Sequence, residues 1–316
     1  MILALPLALL ALAASAPEPR SDPAAAAIVR AAQEAEKSSG AVVGVSVLHL
    51  ESGRRVSSRG QERFQMASVF KVPVAIAVLG AVEKGTLRFD QEFEIRKADR
   101  RTIGPLYDTW KSGMRVTVAR MVDVMLVDSD NTAADKLIAL VGGPSAVEKD
   151  LAARGVTGIR ISLDEKGMGM AMAANLTEFE QGAENGASPD ALVEMLARLF
   201  QGDLLPRPRT DVILDAMRRC ATGDKRLRAG LPSGTEVRDK TGTVRTCAND
   251  VGILTLPDGT HLVVAVFVRG GAEASAREGA IASVARAAWQ AFAPKRTASA
   301  SGGMPARASL RAWSNP

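Results

Sequence analysis

The sequence predicts a two-lobed α/β fold, an antiparallel sheet flanked by terminal helices with an all-helical lobe inserted between its strands. Three observations predict it. Strand-like segments stand near the two ends, at 42–59 and 235–269. Apolar residues at i, i+3 and i+4 dominate the middle, from about 66 to 218. Helical runs at 24–38 and 275–292 bracket both groups of strands. The 316 residues are 47% apolar and 24% charged, which supplies a core for one large domain or two modest ones and argues against wholesale disorder. The α/β lobe is expected at 24–62 and 219–292 and the helical lobe at 63–218, with 24–292 as one catalytic unit.

Residues 2–16 are an apolar run ending in small residues, the pattern of a secretory signal peptide over 1–16, with Ala14-Ser15-Ala16 or Ala11-Leu12-Ala13 as cleavage sites. The basic residues that usually open such a signal are missing, but Pro17, Glu18 and Arg20 end the run short of a membrane anchor. The mature chain is therefore expected to be periplasmic or secreted, without a stable membrane anchor. A helix at 24–38 leads into a β-hairpin, Val42 to Leu50 and Arg55 to Arg59, turning at Glu51-Ser52-Gly53. Helices follow at 68–84, 117–128, 131–140, 144–153 and 188–200, with Thr117 and Ser188-Pro189 as starts. Strands return at 235–240, 248–256 and 261–269, with a turn at Leu256-Pro257-Asp258-Gly259. The segment 293–316, rich in Ala, Ser, Gly, Arg and Pro, is expected to be a disordered tail.

Charge and composition exclude several classes. A net charge of +5 is compatible with a nucleic-acid binder, yet 40 basic residues are interspersed with 35 acidic ones and a single Tyr offers little for base stacking. No nucleic-acid partner is expected. Two His and two Cys, all far apart, give no metal-ligand spacing, and no cofactor or metal is expected. His49 and His261 read as packed or edge strand residues rather than catalytic bases. Neither lies in a motif that would announce a Ser-His-Asp enzyme, which stays open, but nucleophilic chemistry in this chain is expected to use another base.

Phe64 to Leu79 offers one. From Val69 to Val82 the helix is apolar on every face except at Lys71, a costly place for an unpartnered charge. Ser68 and Lys71 are three residues apart and share a helix face. A desolvated lysine becomes a usable base for a serine hydroxyl; a capping serine with a snorkelling lysine is the plainer alternative. Ser129-Asp130-Asn131 sets a hydroxyl and an amide between two helical runs, and Lys240-Thr241-Gly242-Thr243 sets a cation and two hydroxyls on a strand beside a glycine that permits close approach.

Together, Ser-x-x-Lys, Ser-Asp-Asn and Lys-Thr-Gly in this order resemble the class A serine β-lactamases, within the serine β-lactamase and penicillin-binding protein superfamily. The likeness spans about 24–292 and includes Arg228 to Pro232 and Asn249-Asp250. It implies a β-lactamase/transpeptidase-like fold, β-lactam substrates, a role in antibiotic resistance and a monomer. It implies Ser68 as the acylated nucleophile, Lys71 as its proton acceptor, Ser129 as the proton relay to the lactam nitrogen and Asn131 as the holder of the acyl amide. Lys240, Thr241, Gly242 and Thr243 would receive the substrate carboxylate, with the backbone N–H groups of Ser68 and Thr243 as oxyanion hole. Glu165 matches the base that activates the hydrolytic water, but the partner position four residues later is Gly169. The loop to Asn185 is longer than usual in the family; Glu178, Glu180 and Glu184 are rival bases, and Asn175, Asn185 or a backbone carbonyl could replace the missing partner. A D,D-peptidase or transpeptidase, or a non-hydrolysing penicillin-binding sensor, stays open beside the hydrolase. So does a disulfide between Cys220 and Cys247, which the resemblance brings near each other.

Overall fold

The computed structural model describes residues 22–271 and 273–294; the expected signal peptide and nearly all of the expected tail lie outside these. In chain order they form α1 (Pro23–Ser39), β1 (Ala41–His49), β2 (Arg54–Ser58), β3 (Phe64–Gln65), α2 (Lys71–Glu83), β4 (Glu92–Glu94), α3 (Pro105–Asp108), β5 (Arg115–Thr117), α4 (Val118–Val127) and α5 (Asn131–Leu140). There follow α6 (Pro144–Ala153), α7 (Glu165–Ala174), α8 (Leu176–Glu180), β6 (Gly186–Ala187), α9 (Pro189–Gln201), α10 (Arg207–Arg218), β7 (Val237–Val244), β8 (Cys247–Thr255), β9 (His261–Gly270) and α11 (Ala274–Phe292). A five-stranded antiparallel sheet runs β2-β1-β9-β8-β7, so the first hairpin and the last three strands form one sheet.

The sheet is buried on both faces, which explains why β9 is apolar without a break from Leu262 to Val268. Strand residues alternate between faces. Val264, Val266 and Val268 pack with Ile28 of α1 and Ile281 of α11, while Val263, Ala265 and Phe267 join the core of the central helices. α2 runs through that core, buried from Lys71 to Gly80. Among the described residues, no helix is long and apolar enough to cross a membrane.

The structure departs from the sequence expectations in places that matter. The α-helix expected at 68–84 begins only at Lys71, and Ser68 lies in a 3₁₀ turn, Ala67–Phe70. Pro73 has no N–H to give Val69, so the first turn tightens. Strand β7 continues past 240 to Val244. The presumed loop after Glu165 is two short helices, capped by Asp164, which accepts from Gly167 N at 2.7 Å, and by Asn175, which accepts from Glu178 N at 3.2 Å. Helix α10 and the pairs β3–β6 and β4–β5 were not individually anticipated.

Both cysteines are buried free thiols, so there is no Cys220–Cys247 disulfide. Burial, with the nearby Glu180 charge, pushes Cys247 up to about 12. The histidines do structural work: His49 bonds Ser52 and Thr260 at 2.8 and 3.1 Å, and His261 meets Glu51 at 2.7 Å.

Candidate active site

The site forms where the N-terminal end of α2, the α4–α5 junction, the start of α7 and edge strand β7 converge on Lys71. Its side chain is fully buried. Nζ donates to Ser68 Oγ (3.1 Å), Ser129 O (2.7 Å), Ser129 Oγ (3.2 Å) and Asn131 Oδ1 (2.6 Å). Glu165 Oε1 is a fifth oxygen, 2.9 Å away. An ammonium has only three protons for these five oxygens. Glu165 Oε1 lies off the hydrogen-bond direction and has no other hydrogen-bond partner among the described residues.

Each neighbour is positioned by local geometry. Ala67, just before Ser68, has φ +47°, and Ser129 has φ +61°, left-handed conformations that strain residues with a Cβ. Asp130 helps hold the Ser129 region. Its carboxylate accepts from Ala133 N and Leu106 N, both at 2.7 Å, and so ties the start of α5 to α3. Asn131 Nδ2 donates to Thr102 O at 2.9 Å, which fixes the amide while its oxygen faces Lys71.

Lys240 enters from β7, also fully buried, and donates to Ser129 Oγ at 3.0 Å. Ser129 Oγ thus accepts from two lysines, leaving its own proton free to be donated. Burial, and then the charge of Lys71, lower Lys240 to about 8, so it remains mainly cationic at neutral pH. Gly242 lies where β7 passes the 3₁₀ turn, and a Cβ there would collide with Met66 O. Asn249 of β8 reinforces this contact, donating to Gln65 O at 2.8 Å and Met66 O at 3.1 Å. Arg228 pairs with buried Asp239, and Asp250 accepts from Leu227 N at 3.1 Å, so these matched residues support the strand from behind.

Arg226 escaped sequence reasoning. It is buried, donates from Nη1 to Gly242 O and Asn249 O at 3.0 Å, and from Nη2 to Thr243 Oγ1 at 2.7 Å. Glu278 of α11 lies 3.4 Å from its Nε. A lone arginine in Asp224-Lys225-Arg226 carries no sequence signal that sets it apart; only the fold brings it to the Lys240–Thr243 strand.

The rival acids are engaged elsewhere. Glu178 meets Asn175, Glu180 accepts from Thr246 N at 3.3 Å, and Glu184 bonds Ser162 Oγ. Asn185 accepts from Ser162 N at 3.0 Å and Leu163 N at 2.9 Å and donates to Leu163 O at 2.9 Å, so its amide fastens the segment. Asn175 is spent on its cap. Neither amide is available to replace the side chain missing at Gly169, which lies exposed on α7 with open space where a Cβ would point.

Asp135 ties Glu165 to α5. Its Oδ1 accepts from Glu165 N and its Oδ2 from Arg101 Nε, both at 2.6 Å. Burial, and then the Asp164 charge, raise it from 3.8 to about 6. The folded chain therefore holds this proton more tightly than the unfolded chain, and the associated stability is lost as pH rises from about 4 through 6. Calorimetry on Asp135→Asn should find the variant gaining about 3 kcal/mol on the wild type between pH 4 and 7. A difference independent of pH would refute this linkage.

The profile of the β-lactamase enzyme family matches residues 25–292. The β-lactamase VEB-1 of Pseudomonas aeruginosa is 31% identical over 270 residues, 82% of this chain and 88% of that protein. The extended-spectrum β-lactamase PER-1 of the same organism is 33% identical over 260 residues, 79% of this chain and 82% of that protein. A β-lactamase from Chitinophaga pinensis superposes with TM-score 0.77 at 34% identity, covering 84% of this chain and 98% of that one. The TLA-1 extended-spectrum β-lactamase gives TM-score 0.79 at 27% identity over 86% of this chain and 100% of its own. Fold and relatives together define a hydrolase of the class A β-lactamase type. The chain belongs to the β-lactamase enzyme family.

Proposed function

We propose that this β-lactamase opens its substrate through an acyl-enzyme on Ser68 and releases the product with water activated by Glu165. One observation carries the reading: a single buried ammonium, Lys71, touches Ser68, Ser129, Asn131 and Glu165 at once. In the proposed sequence Lys71 first yields a proton to Glu165, and the neutral amine then takes the Ser68 proton as Oγ attacks the lactam carbonyl. Lys71 passes that proton to Ser129, whose own proton goes to the departing nitrogen as the C–N bond breaks. Return of the first proton from Glu165 to Lys71 restores the carboxylate, which can then deprotonate water. Backbone N–H groups of Ser68 and Thr243 receive the oxyanion, and Asn131 holds the acyl amide. Lys240, Thr241 and Thr243 bind the substrate carboxylate, Gly242 lets the strand approach, and Arg226 adds a second cation.

The catalytic unit in this reading is 24–292, with lobes at 24–62 plus 219–292 and at 63–218. It acts as an exported monomer, free of the membrane once 1–16 are removed.

Glu165 supplies a base, but nothing at Gly169 holds the far side of the water, so deacylation limits turnover. A ~10²-fold loss at that step corresponds to about 2.7 kcal/mol. Stopped-flow with nitrocefin should show a burst of one equivalent and then a slow steady state. Glu165→Gln should lengthen the acyl-enzyme lifetime by about 10²-fold more while keeping the burst. A wild type that shows no burst and deacylates faster than it acylates overturns the Gly169 argument. D-Ala release from a peptidoglycan peptide, without nitrocefin turnover, would identify a peptidase instead.

A further inference from the structure

We infer that Thr222 is a positioning residue for the substrate carboxylate: its hydroxyl, backed by the Cys220 thiol, aims the Thr241 hydroxyl into the cleft. The inference rests on the reading of Lys240–Thr243 as the carboxylate site. Thr222 Oγ1 lies 2.6 Å from Thr241 Oγ1, and Cys220 Sγ lies 3.3 Å from Thr222 Oγ1. Three hydrogen-bonding groups thus stand in a row that ends on β7.

The surroundings hold this row in place. Ala221 N donates to Val127 O at 3.0 Å, anchoring the turn at the end of α4, two residues before Ser129. Gly223 has φ +85°, and a Cβ there would collide with Thr241 Cγ2, so the turn presses directly on the Thr241 side chain. Arg226 N closes the turn on Gly223 O at 2.8 Å. The same turn therefore grips both hydroxyls that flank Gly242, Thr241 through Thr222 and Thr243 through Arg226.

Chemistry sets the polarity. A hydroxyl has one proton. If Thr241 O–H is to donate to an anion, Thr222 O–H donates to the Thr241 oxygen, and the Thr222 oxygen is left to accept from the Cys220 thiol, whose single proton is shared between Thr222 Oγ1 at 3.3 Å and Thr222 O at 3.6 Å. Burial and the nearby Asp239 charge raise the Cys220 thiol, which keeps it a donor. A row of donors pointing one way polarises each successive bond toward the anion. In the opposite polarity Thr241 would offer the anion only lone pairs.

The test measures acylation by a penicillin in the pre-steady state, separating the half-saturating concentration from the limiting rate. Thr222→Val should raise the half-saturating concentration about tenfold, on the order of one lost hydrogen bond, because the Thr241 hydroxyl is no longer held as a donor, and change the limiting rate less than twofold. Thr222→Ser should restore it. In a Thr241→Val background, Thr222→Val should add nothing further. If Thr222→Val fails to fold, Cys220→Ala and its rescue by Cys220→Ser provide the same comparison with a smaller shift. An unchanged half-saturating concentration, a loss confined to the limiting rate, or full additivity with Thr241→Val overturns the inference. Stoichiometric labelling of the wild type separates these failures from failure of the acyl-enzyme reading, which would abolish labelling altogether.

Discussion

Ser68→Ala is expected to take up no penicillin, whereas the wild type gains the antibiotic's mass once. The hydroxyl is the proposed nucleophile, and alanine leaves no atom to form the ester. The substitution should spare the fold. Ser68 is half-buried, its hydroxyl bonds Lys71 alone among the described residues, and alanine suits a helical turn. Turnover of nitrocefin should fall by at least about 10⁴-fold. Intact mass spectrometry after penicillin treatment reads the result directly, and an adduct on the alanine variant would move the nucleophile elsewhere.

Lys71→Ala should slow acylation by about 10²–10⁴-fold, the range for loss of a positioned general base, while binding weakens far less. Lys71 also compensates Glu165 in a dry site, with 0% and 12% side-chain exposure. Removing one partner of a buried pair costs about 3–5 kcal/mol, so the variant should also melt early. Lys71→Arg separates the two effects. It keeps the charge beside Glu165, but its guanidinium cannot give up a proton at accessible pH. The arginine variant should recover stability without recovering the acylation rate. Acylation within a few-fold of wild type in either variant would show that another group takes the proton.

The parts legible in the sequence are those whose physics is local. Strand-like apolar runs and turn chemistry placed β1, β2, β8 and β9 nearly to the residue, because a turn such as Glu51-Ser52-Gly53 is encoded by its own side chains. Caps at Thr117 and Ser188 did the same for α4 and α9, accepting from Arg120 N and Ala191 N. Ser68 and Lys71 could be paired because three residues of any tight helix bring two side chains to one face. The segment after Glu165 reads as a loop in the sequence: Gly167 and Gly169 weaken a helix signal, and the caps at Asp164 and Asn175 that open α7 and α8 emerge only in the structure.

What the sequence by itself determined was the list of chemical groups and the elements that carry them. Which groups meet was decided by the tertiary structure. Lys71 and Glu165 are 94 positions apart, and Arg226 reaches Thr243 only because a turn folds back on an edge strand. The free state of Cys220 and Cys247 and the tightened hold of Asp135 on its proton belong to the same category. Distance and burial set ion pairing, thiol pairing and proton affinity, and both are properties of the packed chain rather than of any segment in it.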